Sequence, residues 1–179
     1  MRSSDGKILN LGALAVGMPG LTPACGTSLA ESAAVCLEHR EHQIGVTFHL
    51  TGMKPEQFPI EWSPVDEQTR RTYNDLQEAT ERGAYGIAIL VVHNLTGKVV
   101  VERSKKGPGF DYWLGDDDDD TLFLGKARLE VSGILSGSAS VIQSPMREKK
   151  EQIKPSEHLG PGYVAVVEFG TPTACVEQG

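Results

Sequence analysis

The stretch from Gly107 to Gly133, GPGFDYWLGDDDDDTLFLGKARLEVSG, constrains this chain more than any other. A Gly-Pro-Gly turn opens a short apolar strand, and five consecutive aspartates repel one another into a solvated loop. A second strand then alternates through Ala127, Leu129 and Val131, which leaves Lys126, Arg128, Glu130 and Ser132 on its other face. Asp111 begins the first of these strands and Glu130 sits in the middle of the second. Two carboxylates on neighbouring strands suit a divalent metal held against a phosphodiester. Each also has a plainer role. Asp111 can close the GPGFD turn through local backbone bonds, and Glu130 can pair with Arg128 or Lys126.

The rest of the chain supplies the partners for these strands. Residues 1–26 are rich in Gly and Pro without a clear period, and read as a flexible arm. Residues 27–179 are expected to form one globular domain. Thr27 or Ser28 can cap a helix running to about His39, and GVTFHLTG alternates as a half-buried strand over 45–51. Residues 53–65 carry three prolines and read as an irregular connection. Asp66 is suited to cap a long helix to about Val92, although Ile87–Val92 could instead pair with Val99–Val101. Strands are expected at 99–104, 110–115, 126–135 and 163–169, and a further helix at 145–153, where Pro145 suits a first turn. The run YVAVVEF is apolar at nearly every position, as a strand buried on both faces must be.

Helix, three strands, helix, strand, with Asp111 opening the second strand and Glu130 two residues before Ser132 in the third, resembles the restriction-endonuclease-like superfamily, PD-(D/E)xK, over about residues 66–170. The resemblance implies an α/β fold: a central mixed sheet of about four strands flanked by helices, here with an N-terminal helix-strand extension. It also implies that Asp111 and Glu130 bind Mg2+ or Mn2+, that Val131 fills the x position, and that Glu81 matches a further helix carboxylate of some members. The motif lysine is replaced by Ser132, which supplies no positive charge. Lys149 or Lys150 on the following helix, or Arg128 on the same strand, can stand in for it, since relocation of this lysine to a helix occurs in that superfamily. Two functions follow. One is a degenerate, non-catalytic interaction subunit of a larger assembly. The other is a metal-dependent phosphodiesterase or nuclease using Asp111, Glu130 and a relocated cation.

Charge bears on the choice. The chain carries a net charge of −7, which disfavours unassisted nucleic-acid binding, because that affinity comes from neutralised phosphates. A protein partner is therefore expected, with nucleic acid contacted only through a basic one. Three widely spaced cysteines, without a CxxC pair, make neither a disulfide framework nor a zinc site. No segment approaches the ~18–20 apolar residues of a membrane span, and a cytoplasmic location is expected. Trp113 shares a strand face with Asp111 and is a candidate for base stacking or for the core.

Overall fold

The computed structural model describes residues 6–118 and 126–179. Over them the chain runs β1 (Leu9–Asn10), a 3-10 turn (Leu11–Val16), α1 (Pro23–His39), β2 (Thr47–Gly52), β3 (Glu56–Glu61), α2 (Glu67–Thr72), α3 (Leu76–Thr96), β4 (Val99–Arg103), β5 (Tyr112–Gly115), β6 (Ala127–Ile134), α4 (Gln143–Ile153), β7 (Gly162–Glu168) and β8 (Thr173–Gln178). The strands make one mixed sheet of eight, ordered β1-β3-β2-β8-β7-β6-β5-β4, in place of the expected sheet of about four. The reason lies at β7. Being buried on both faces, it is an interior strand, parallel to β6 on one side and antiparallel to β8 on the other. β8 then pairs in parallel with β2, so the N-terminal strands continue the sheet and are no separate layer. Among the described residues no helix is long and apolar enough to cross a membrane.

The connection expected at 53–65 contains β3. Pro59 is tolerated inside it because Ile60 makes both its backbone bonds on the β2 side, to Val46 and Gly45. The nitrogen of Pro59 therefore faces the other way, beyond the two-residue β1, where no ladder bond is lost.

The long helix expected from Asp66 is two helices. Asp66 caps α2, accepting from the Thr69 N–H at 2.7 Å, and Asp75 caps α3, accepting from Gln77 and Glu78. α3 continues through Val92 to Thr96, so 87–92 is helix and not a strand. α1 starts earlier than its capping pattern suggests, with Thr22 as the cap and Pro23 in the first turn. α1 and α3 cross at Gly83, where a Cβ would come within 2.8 Å of the Ala33 Cα; only glycine permits that approach.

The sheet has two covered faces. Ala127, Leu129, Val131, Ala165 and Val167 face α3 and α1 in the main core. Val164 and Val166 face α4, with Phe110, Ile142, Met146 and Ile153. Of the arm expected over 1–26, residues 9–21 belong to this body. Leu9, Leu11, Leu14 and Leu21 are buried in the main core. β1 pairs with β3 at one edge of the sheet, and the Gly20 N–H donates to the Val100 carbonyl at the opposite edge.

Candidate functional site

Asp111 stands just before β5, at the end of the Gly107–Gly109 turn. Its backbone N–H joins the ladder by donating to the Leu129 carbonyl at 2.8 Å. Its side chain extends the ladder one step further: Oδ2 accepts from the Val131 N–H at 2.8 Å, a place the strand itself does not reach. Oδ1 accepts from the Tyr85 hydroxyl at 3.2 Å and lies 3.5 Å from Arg103 Nη1. Arg103 is held by stacking over the rings of Tyr85 and Tyr112, and also donates to the Asp111 carbonyl. Burial, followed by the Asp111 charge, pushes the Tyr85 phenol well above its usual range, so it remains a donor.

Glu130 is buried in the middle of β6, on the face toward α4. Its Oε1 accepts from Lys149 Nζ at 2.5 Å and from Gln152 Nε2 at 2.9 Å. The helical period explains the meeting. Met146 and Ile153 form the buried stripe of α4, and Lys149 lies three residues after one and four before the other. In the charged run MREKKEQI that spacing was the available signal, and a solvated-face reading passes over it. Gln152, which also accepts from Lys149, carries no such signal, because it lies at the helix margin.

Glu130 titrates at about 7, raised from the ordinary carboxylate range first by burial and then by the neighbouring Asp111 carboxylate; the Lys149 ammonium works against both. In the folded protein this group keeps its proton to a higher pH than in the unfolded chain. Stability is therefore expected to fall as pH rises from about 4.5 to about 7, and then to level off. Urea unfolding across that window should show the fall in wild type relative to Glu130→Gln. Parallel pH profiles would contradict it.

Beside these carboxylates lies an open cleft of ≈ 520 Å³, lined among others by Gln77, Thr80, Glu81, Ser132 and Lys149. Neither Asp111 nor Glu130 lines it: Glu130, at 2 % exposure, meets it through Lys149, and Asp111 through the Val131 N–H, so the charged groups lining it are Lys149 and Glu81, with Ser132 beside them. Glu81 accepts from the Tyr85 hydroxyl at 2.9 Å, and through it touches Asp111. Ser132 follows Glu130 on the same face of β6, in the position where a motif lysine would stand.

Arg128, a candidate cation, is not part of this site. It is 1 % exposed, and its guanidinium is spent on the Gly160 and Ile153 carbonyls and the Ser156 hydroxyl. The strand face it shares with Glu130 is covered by the end of α4 and the turn after it. Lys150 points elsewhere and pairs with Glu177. Trp113 packs edge-on against Phe110 at 4.8 Å, half-buried at the margin of the second core, with Lys126 over its ring. Of the aspartate run, Asp116–Asp118 are exposed, and Asp119 and Asp120 lie outside the described residues. Glu168 closes the β7–β8 turn by accepting from the Gly170 and Thr171 N–H groups.

Asp111 and Glu130 form the acidic pair of the site, and Glu81 reaches Asp111 only through the Tyr85 hydroxyl. Among the described residues no group of three or more His, Cys, Asp or Glu is arranged to hold one. Comparison with family models, curated proteins and solved structures finds no match to this chain.

Proposed function

We propose that this protein is a metal-dependent phosphodiester hydrolase of the restriction-endonuclease-like kind, with Asp111, Glu130 and Lys149 as its working groups. One observation carries the reading: Lys149, from a different element, lies 2.5 Å from Glu130 at the cleft, close to where Ser132 leaves the motif without a cation. The order α3, β4, β5, β6, α4, β7, with Asp111 ahead of the second of these strands and Glu130 in the third, supports the same resemblance.

Mg2+ or Mn2+ fits the acidic pair. The donors are hard carboxylate oxygens, and the upward pull of Asp111 on Glu130 marks negative charge that a cation would offset. When bound, such an ion supplies Lewis-acid charge at the phosphoryl oxygen and a more acidic water. The protein's own groups do the rest. Lys149, tethered by Glu130 and Gln152, presents an ammonium to the cleft, where it can hold the attacking water or the charge growing on phosphate. Water attack forms one P–O bond and breaks another, leaving a phosphomonoester and a hydroxyl. Glu130 and Asp111 stay in place through the step, fixed by Gln152 and by the Val131 N–H. With a net charge of −7, nucleic-acid substrates are expected to be engaged through a basic protein partner.

Calorimetric titration with Mn2+, run beside cleavage of the small diester bis(p-nitrophenyl) phosphate, tests this. Wild type should bind Mn2+ and cleave, and Asp111→Asn and Glu130→Gln should lose both. Equal Mn2+ binding by all three removes the metal site. Binding without any cleavage by wild type leaves a degenerate, non-catalytic scaffold as the reading.

A further inference from the structure

We propose that Tyr85, clamped by Arg103, is the positioning residue that fixes the Asp111 carboxylate for its work, with Glu81 as the alternative acceptor of its proton. This rests on the functional reading above. The two oxygens of Asp111 are held by donors of different kinds. Oδ2 is fixed by a backbone N–H of β6, and Oδ1 by the Tyr85 hydroxyl from α3. Donors on both oxygens define the plane of the carboxylate; Oδ2 keeps a free lone pair for a cation, while Oδ1 also meets Arg103 Nη1 at 3.5 Å.

The Tyr85 hydroxyl has one hydrogen and two carboxylates within reach, Glu81 at 2.9 Å and Asp111 at 3.2 Å. It can serve one at a time. Glu81 is exposed and lines the cleft, so whatever occupies the cleft and engages Glu81 releases the hydroxyl to Asp111. Arg103 keeps the phenol where both acceptors lie in range. Its guanidinium stacks 4.8 Å from the Tyr85 ring centre and 4.5 Å from that of Tyr112, while its Nη1 donates to the Asp111 carbonyl at 2.9 Å. Tyr85 and Tyr112 themselves meet edge to face at 5.5 Å. The planar fork is essential to this clamp, so a lysine in its place retains the charge and loses the geometry.

The full-length protein is compared as wild type, Tyr85→Phe, Arg103→Lys and Tyr73→Phe. Tyr73 serves as the control because its hydroxyl bonds Glu31 and Ser28, away from the site. Three readouts are taken: Mn2+ affinity, kcat and KM on bis(p-nitrophenyl) phosphate, and the carboxylate 13C resonance of Asp111 without metal. Removing a hydrogen-bond partner of a ligating group typically costs ~10–100-fold in affinity or activity. Tyr85→Phe and Arg103→Lys should each show such a loss in Mn2+ affinity and in kcat, with KM unchanged and the Asp111 resonance displaced. Tyr73→Phe should match wild type in all three. Wild-type Mn2+ affinity and kcat in Tyr85→Phe, while Asp111→Asn loses both, would overturn the positioning role and leave the functional reading standing. A wild type that neither binds Mn2+ nor cleaves would overturn the functional reading and this role with it, even where the resonance moves.

Discussion

Lys149→Ala is expected to lower metal-dependent phosphodiester cleavage by ~10²–10³-fold, the usual loss when one group that stabilises transition-state charge is removed. Two effects combine. The cleft loses its ammonium, and Glu130, buried at 2 % exposure, loses the ammonium contact that pulls its titration downward. A Glu130 that holds its proton more tightly offers a cation a weaker oxygen, so Mn2+ affinity should fall along with kcat. The double variant Lys149→Ala, Ser132→Lys separates the position from the charge. Ser132 lies two residues after Glu130 on the same strand face, ~6–7 Å along the strand, and lines the same cleft. Partial recovery in the double variant would show that the ammonium, and not its helix, is what the site requires. Cleavage by Lys149→Ala at the wild-type rate would exclude Lys149 from the chemistry.

Arg128→Met should be the most destabilising single change on β6, by about 3 kcal/mol. The guanidinium donates at 3.0 Å to the Gly160 carbonyl, at 2.7 Å to that of Ile153 and at 2.6 Å to the Ser156 hydroxyl, all at the junction between α4 and β7. A methionine of similar length fills the space and removes all three donated bonds, and a buried acceptor left unpaired costs roughly 1–3 kcal/mol. The Ser156 hydroxyl still bonds the Ile153 carbonyl, which limits the total. Burial already works against the Arg128 charge, lowering its affinity for the proton, and the three acceptors are what hold it there. The expected reading is a drop in the urea midpoint at constant m-value. A loss below 1 kcal/mol would show that water replaces the missing donors.

Much of the centre of this sheet was legible in the chain, because alternation within β6 and unbroken apolarity in β7 each admit one simple reading. The edges were not. β1 is two residues long, β3 contains a proline, and β8, TACVEQ, follows a Gly-Thr-Pro turn with too short an apolar pattern to stand out. Their pairing depends on a parallel contact between β2 and β8, more than a hundred residues apart in sequence, which no local pattern encodes. The site divides in the same way. Asp111 and Glu130 announce themselves, since a carboxylate in an apolar strand demands a partner. Lys149 sits in a run of five consecutive charged residues, Arg147 to Glu151, and only its phase against Met146 and Ile153 sets it apart. Arg128 was misjudged because strand alternation assigns a face but not what covers it.

One stretch of chain touches both ends of the eight-stranded array. Asn10 closes the last rung on β3, and ten residues later Gly20 bonds the outer side of β4. Six of the intervening residues form a 3-10 turn rising ~2 Å each, so the stretch reaches about 26 Å. Seven flat strand spacings would need about 34 Å. The sheet is accordingly curved enough to bring both margins within reach of this stretch, which spans from one to the other. Residues made early in synthesis can then dock only after β3 and β4 exist, which makes them a late-closing clasp. Opening that clasp would bare two unpaired strand margins at once, the surfaces from which chains add to one another.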